Sequence, residues 1–466
     1  MLLKRIHDED LSHTSYLIGC QATGTAVVID PRRDIGAYLD EAARHGLRIT
    51  DVTETHIHAD YLSGARELAA ATGAALRLSA EGGPDWLYRF DHEPLQGGDV
   101  FTVGNIALRA LHTPGHTPEH LSFLVTDRAH TDQPGFLLTG DFMFVGDLGR
   151  PDLLDEAAGG HDTRFGMARQ LYGSLQKILD GLPDYIQVLP GHGAGSACGK
   201  ALGAVESTTL GYEKATAWWA PFLRNADENG FVAALLSGQP DAPLYFGRMK
   251  RMNRQGADVL GELPPLQKFE GALLEEALRH GSVLIDTRAT EAYSRGHVPL
   301  ALHVPAGANF VSWGAWILDP ERSDRDVILL ADSATGAEEL RQQLRRIGID
   351  RIKGYATHVD GLATLPAASV SPARLDELDD PYILDVRGAA DFAAGHLPDA
   401  HNIHGGRVLW HLDELPRERP IVIHCQTGAR SPIVASALRQ AGFSNVLELE
   451  GSYDAWLARS NELVGA

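Results

Sequence analysis

The sequence predicts an α/β chain in three parts: a layered α/β domain, then two copies of a smaller α/β unit with a parallel sheet. Three observations carry that prediction. Short apolar runs in the first half end in His or Asp. The second half repeats a pattern of strand, Asp-x-Arg, helix and Gly-His. Between the runs lie amphipathic segments of helical period, as expected where strands and helices alternate.

Composition narrows the class before any motif is read. A chain of 466 residues corresponds to roughly three domains at about 150 residues each. The formal net charge of −21 argues against nucleic acid or an anionic membrane as the main partner. No N-terminal run has the form of a signal peptide, and no apolar run is long enough to span a bilayer. The three cysteines, Cys20, Cys198 and Cys425, are far apart and read as reduced thiols. A cytoplasmic homo-oligomer is expected.

Taken in order, residues 25–30 (TAVVID) predict a strand. Residues 34–45 predict a helix with Ile35, Leu39, Ala42 and Ala43 on one face, stopped by Gly46. Four runs then finish in polar clusters: VTETHIHAD, LRALHTPGHT, FLLTGDF and IQVLPGHG. Residues 164–179 predict a second helix, with Phe165, Ala168, Leu171, Leu175 and Ile178 at helical spacing. The first domain is placed at 1–236, followed by a Gly/Pro-rich connector at 237–265.

The internal repeat organises the rest. VLIDTRATEAYSRGH at 283–297 matches YILDVRGAADFAAGH at 382–396, and VILLADSATG at 327–336 matches IVIHCQTGAR at 421–430. The copies are placed at 266–366 and 367–466.

THIHADYLSG at 55–64 nearly spells a two-metal motif, His-x-His-x-Asp-His, but Tyr61 stands at the last position. A phenol, with a pKa near 10, is a poor substitute for an imidazole ligand at neutral pH. The candidate ligands are His56, His58, Asp60, His116 (with His120 nearby), Asp141 and His192. A single such His is more often structural, but here each lies at the end of an apolar run and most have a flanking Gly. Ligands at the lip of a rigid sheet are the expected arrangement.

THIHAD, TPGHT, TGDFMFVGDLGRPD and LPGHG together resemble the metallo-β-lactamase fold, an αββα sandwich with its metal site at one edge. The GDLGRPD continuation is similar to the persulfide dioxygenases of that superfamily. The resemblance implies one Fe(II) per chain held by His56, His116 and Asp141, with His58, Asp60, Tyr61 and His192 orienting those ligands. Two His and one carboxylate leave positions open for substrate and O2, as in non-haem iron oxygenases. Arg150 is a candidate for gripping an anionic part of the substrate, or else a structural partner of Asp147 or Asp152. Cys198 is a candidate for the substrate pocket. The basic stretch RMKRMNR at 248–254 is expected to be a solvated face, or else a landing site for a carrier thiol bearing carboxylates or phosphates.

HCQTGARS at 424–431 follows the apolar run PIVI and precedes an apolar helical stretch. Such a loop presents successive backbone N–H groups to one centre, which lowers a thiol pKa. The segment resembles a rhodanese. Cys425 and Arg430 have four residues between them, as in sulfurtransferases, where the related phosphatases have five. Cys425 would carry a persulfide, Arg430 would hold an oxyanion, and Gln426, Thr427, Gly428 and Ala429 would line the cradle. The first copy reads LLADSATGAEEL and has neither the Cys nor the loop Arg, so a spacer or docking role is expected for it.

The order of parts resembles the bacterial persulfide dioxygenase–sulfurtransferase fusions. That implies oxidation of a low-molecular-weight thiol persulfide (of glutathione or coenzyme A) with O2 to sulfite, coupled to interconversion of sulfite and thiosulfate, in sulfide detoxification. Two alternatives stay open. One is a zinc-dependent thioesterase of the glyoxalase II type fused to a sulfurtransferase. The other is a sulfur carrier that acts through Cys425 alone.

Overall fold

Two six-stranded sheets build the N-terminal part, each with its strands side by side in chain order. The first runs Leu2–Asp8, His13–Cys20, Thr25–Ile29, Arg48–Thr53, Ala75–Ser79 and Glu93–Leu95. The second runs Val100–Val103, Ile106–His112, Leu121–Asp127, Phe136–Gly140, Gln187–Pro190 and Thr208–Thr209. Successive side chains of a strand face opposite ways. Tyr16, Ile18, Val27 and Ile29 therefore meet Phe101, Leu108, Phe123 and Leu138 in the core between the sheets. Leu17, Ala26 and Val28 face outward onto Tyr38, Ala42 and Leu68, which lie on helices Gly36–Arg44 and Ala65–Thr72. On the opposite outer face, helix Arg164–Gly181 sets Ala168, Leu171, Leu175 and Ile178 among Leu137 and Val188. Helix, sheet, sheet, helix is the layering that the resemblance to the metallo-β-lactamase fold implies. Phe165, expected on the apolar stripe, is exposed beneath the Arg164 guanidinium.

This computed structural model describes residues 1–157, 162–321 and 323–465. They form two compact units, Met1–Leu263 with Arg345–Gly348, and Pro264–Leu344 with Ile349–Ala466. The stretch expected as a connector is largely folded into the first unit. Its helix Phe246–Gln255 buries Phe246, Arg248, Met249 and Asn253, so RMKRMNR is not the solvated face its charge predicts. Asn253 donates from Nδ2 to the carbonyls of His58 (2.8 Å) and Tyr61 (2.7 Å) and accepts at Oδ1 from Ser63 N–H (2.8 Å). The helix is thereby tied to the His-rich loop.

The second unit holds two five-stranded parallel sheets. One runs Gln267–Lys268, Ile352–Ala356, Val327–Leu330, Val283–Asp286, Leu302–His303. The other runs Ser369–Val370, Val446–Leu449, Ile421–His424, Tyr382–Asp385, His401–Asn402. The repeated Asp-x-Arg has one structural job in both. Arg288 forks onto Asp286 and reaches the Gly296 carbonyl at 2.9 Å; Arg387 forks onto Asp385 and reaches the Gly395 carbonyl at 2.6 Å. The two copies pack against each other: Ser436 Oγ accepts from His303 N–H at 2.9 Å, and the Trp316 ring lies where a side chain on Gly406 would be. Among the described residues no helix is long and apolar enough to cross a membrane.

Candidate functional site

Loops at the ends of Arg48–Thr53, Ile106–His112, Phe136–Gly140 and Gln187–Pro190 bring the predicted ligands together. One donor atom from each of His56, His116 and Asp141 lies within 4.8 Å of the others, and all three residues are buried. Asp141 Oδ2 is 3.9 Å from His56 Nε2 and 3.5 Å from His116 Nε2. Gly140 permits the approach. Its φ is +48°, and a Cβ there would strike Thr55 and His120.

Hydrogen bonds decide which nitrogen each imidazole offers. Thr55 Oγ1 donates to Asp30 Oδ2 (2.9 Å), so it accepts from His56 Nδ1–H (2.9 Å) and leaves the Nε2 lone pair free. His116 Nδ1 faces the Arg150 carbonyl at 3.0 Å and must donate to it, which again frees Nε2. His120 accepts the Asp141 N–H at Nε2 (3.2 Å) and gives Nδ1–H to Thr113. It is a strut, not a ligand. Burial holds His56 well below the usual imidazole range and His116 down to about 4, so both are neutral bases.

Asp141 Oδ2 is buried with no hydrogen-bond partner. An orphaned carboxylate oxygen facing two free imidazole lone pairs is a donor set that fits a metal ion. Burial opposes the Asp141 charge, but His192 at 2.7 Å outweighs it and holds the carboxyl well below the usual range.

The remaining members of the HIHADY loop turn away from that centre. His58 Nε2 pairs with Asp30 Oδ1 at 3.1 Å; burial opposes its charge, yet Asp30 raises it to about 9. The Tyr61 hydroxyl donates to the Asp30 carbonyl at 3.1 Å. His192 bridges Asp141 and Asp60, and Asp60, His192 and Cys198 form a second buried group with metal-ligand spacing. Sequence reasoning missed two residues here. Asp30 ends its strand in a left-handed conformation (φ +55°), which aims its carboxylate at Thr55 and His58. It carried the same strand-end signal as the others. His13, fully buried with its ring 4.2 Å from that of Tyr61, lies in LSHTSY, which carries no motif.

Of the two readings of Arg150, substrate grip or structural partner of Asp147 or Asp152, the structure shows the pairing with Asp152. Nε and Nη2 fork onto Asp152 (2.9 and 2.6 Å), and Nη1 donates to the Pro240 carbonyl (2.8 Å). At 1 % exposure all three of its guanidinium nitrogens are engaged inside the protein, and it acts on the site through its carbonyl under His116. A Cβ on Gly149 would collide with the Asp141 carbonyl, which accounts for Gly in DLGRPD. Asp147 accepts from Lys200 N–H and Ala201 N–H and from the Trp218 indole.

In the second unit Cys425 sits at the floor of the loop that joins Ile421–His424 to helix Ser431–Gln440. Gly428 N–H and Arg430 N–H point to its sulfur at 3.2 and 3.4 Å. Burial pushes the thiol up, but the backbone N–H groups of Arg430, Ser431 and Gly428 outweigh it and bring the thiol below its usual value. Gly428 supplies φ +99° for the turn. Among the described residues no acceptor engages the Arg430 side chain, which is partly exposed. Gln426, expected to line the cradle, instead links Arg387 and Asp454; Thr427 and Ala429 are exposed at the loop rim. In the first copy the strand Val327–Leu330 leads to a helix at Ala334, so the loop is only 331–333 and Ala331 takes the place of the cysteine.

Comparison with known proteins matches these two architectures. The metallo-beta-lactamase superfamily model matches residues 8–192, and the rhodanese-like domain model matches 271–361 and 371–459. A hydroxyacylglutathione hydrolase from Polaromonas sp. is 36% identical over 179 residues, which is 38% of this chain and 61% of that protein. The chain thus spans about three fifths of the length of such curated relatives. A hydroxyacylglutathione hydrolase from Anaeromyxobacter dehalogenans is 32% identical over 49% of this chain and 88% of its own. The crystal structure of a metallo-beta-lactamase from Staphylococcus aureus subsp. aureus COL shares 40% identity and a TM-score of 0.67, covering 76% of this chain and 98% of that one. The chain belongs to the metallo-β-lactamase superfamily and carries two rhodanese-like domains behind that fold.

Proposed function

We propose that the chain is an iron(II) persulfide dioxygenase joined to a sulfurtransferase. The observation that carries the reading is the three-donor set of His56, His116 and Asp141 beside a Tyr61 whose hydroxyl is turned to the Asp30 carbonyl. With no imidazole at that position, the second ion of a dinuclear hydrolase lacks a ligand. Two His and one carboxylate suit a single iron with open positions.

Iron bound there would supply the redox chemistry that lets O2 react with sulfur. The chain's own residues do the rest. Thr55 and the Arg150 carbonyl hold the two imidazoles in the tautomer that offers Nε2. His192 fixes Asp141 through Oδ1 and leaves Oδ2 as the ligand atom. The overall reaction balances as RSSH plus O2 plus H2O giving RSH and sulfurous acid, which ionises to sulfite. In the second unit the Cys425 thiolate takes a sulfane sulfur from a persulfide and releases the thiol. It then passes that sulfur to sulfite, forming thiosulfate, with Arg430 available to hold the oxyanion.

A second reading is a zinc thioesterase fused to a sulfurtransferase. It is favoured by the second donor group, Asp60, His192 and Cys198, and by the similarity to hydroxyacylglutathione hydrolases. Oxygen uptake by iron-loaded protein given glutathione or coenzyme A persulfide, with sulfite and thiosulfate assayed together, separates the two. Uptake with sulfur oxyanions formed is the expected result. Iron-replete protein that takes up no O2, while zinc-loaded protein hydrolyses hydroxyacylglutathione, would overturn it.

A further inference from the structure

We infer that Lys250 receives the anionic terminal sulfur of the substrate at the metal centre, an assignment that rests on the persulfide reading above. Helix Phe246–Gln255 is held in place over the site. Asn253 ties it to the carbonyls of His58 and Tyr61, and Arg254 reaches the carbonyls of Pro84 and Leu87. Lys250 precedes Asn253 by three residues, so the two side chains share a helix face, and Asn253 shows that this face looks onto the ligand loop.

The Lys250 ammonium is partly buried and lies 4.2 Å from the centre of the Trp86 ring. Among the described residues no carboxylate stands within ion-pair distance of it and no acceptor takes a hydrogen bond from it. Its charge acts on His56, His116, Glu119 and Cys198, all groups of the site. Glu119, the nearest acid in electrostatic effect, accepts at Oε1 from the Ile57 N–H (2.8 Å) and leaves Oε2 buried without a hydrogen-bond partner, but it forms no ion pair with the ammonium.

A desolvated cation without a counter-ion is unfavourable, and an aromatic face relieves it only in part. An anion delivered beside the ligands removes that penalty. Burial draws the ammonium down to about 8, so it remains largely protonated at neutral pH. Arg150, the other cation that the sequence places near the site, has its nitrogens engaged by Asp152, Pro240 and Ala197. A persulfide ionises to an anion on its terminal sulfur, and that atom is the one that must approach the ligands.

The test uses the full iron(II)-loaded chain carrying C425S, so that the rhodanese loop takes no sulfur, and excludes O2 so that binding is read without turnover. Glutathione persulfide and glutathione are each titrated calorimetrically into this protein and into its K250R and K250M forms. The expected result is a persulfide dissociation constant raised about 10- to 100-fold in K250M, the size of one charge-assisted contact. K250R should recover most of that loss, and glutathione affinity should be the same in all three. K250Q repeats the comparison if K250M fails to retain iron. Undiminished persulfide affinity in an iron-replete K250M or K250Q overturns the assignment. An equal loss for glutathione also overturns it, because the contact would then be to a carboxylate of the carrier. A parent protein that binds no persulfide overturns the functional reading and this assignment together.

Discussion

Nδ1 of His192 lies 2.7 Å from Oδ1 of Asp141, and this contact decides which carboxylate oxygen is left to bind a metal. The other ring nitrogen, Nε2, lies 2.9 Å from Asp60 Oδ2. Burial works against a charge on His192, but the two carboxylates outweigh it and raise the imidazole well above its usual value. A buried ring between two acids is thus a clamp on Asp141.

His192→Ala should release that clamp. Metal affinity should fall by about 10- to 100-fold, the usual effect of losing a hydrogen bond to a ligand. Competition against a chelator measures it, and an unchanged affinity would show that Asp141 is positioned without His192.

Tyr61 bears on metal number. Tyr61→His removes the hydroxyl that donates to the Asp30 carbonyl and restores an imidazole where two-metal relatives of the fold have one. Metal per chain, measured after loading with zinc, should rise from one towards two. A ratio that stays at one would mean that some other residue excludes the second ion.

The Cys425 loop predicts a pH dependence. Its thiol lies below the usual thiol value because backbone N–H groups outweigh burial. The thiolate therefore survives as pH falls from the usual thiol range, near 8.5, to the lowered value, and is lost below it. Sulfur transfer from thiosulfate should be half-maximal below pH 8.5 on its acid limb. Gly428→Ala, which strains a residue at φ +99° and disturbs one donor to the sulfur, should move that limb upward. A limb at the ordinary thiol value in the parent protein would remove the electrostatic argument for the loop.

Arg150→Ala should act on stability before substrate affinity. It leaves the buried Asp152 carboxylate without its fork and removes the tie to the Pro240 carbonyl. Breaking a buried pair of this kind costs about 3–5 kcal/mol. Chemical denaturation should register the loss, while KM for persulfide changes little in whatever protein remains folded. A large rise in KM at unchanged stability would return Arg150 to the substrate.

The candidate ligand clusters and the cysteine loop were legible in the sequence because each ends an apolar run, and a strand end fixes direction locally; the resemblance then singled out His56, His116 and Asp141. The repeat was legible because its Asp-x-Arg clamps span only the ten residues to the next Gly, 286–296 and 385–395. Gln426 was misplaced because its partners Arg387 and Asp454 are distant in sequence. The same is true of the stretch 248–254, whose charges read as solvent-facing until its helix packs on the loop at 58–63.

By itself, then, the sequence determined the alternation of strands and helices, the duplicated α/β unit and the strand-end clusters that hold the candidate ligands and the candidate nucleophile, all of which follow from periodicity and short-range spacing. The layering and the choice of His56, His116 and Asp141 among the candidates rest on the resemblance. Only the tertiary structure decided that Arg150 is internal, that Asp30 organises the HIHADY loop, that His13 lies behind it and that Lys250 lies on the Trp86 ring with no ion-pair partner among the described residues. Those outcomes depend on which charges are brought together and desolvated across long separations, as with Arg150 and Pro240 or His58 and Asn253. Pairing of that kind leaves no period in the chain.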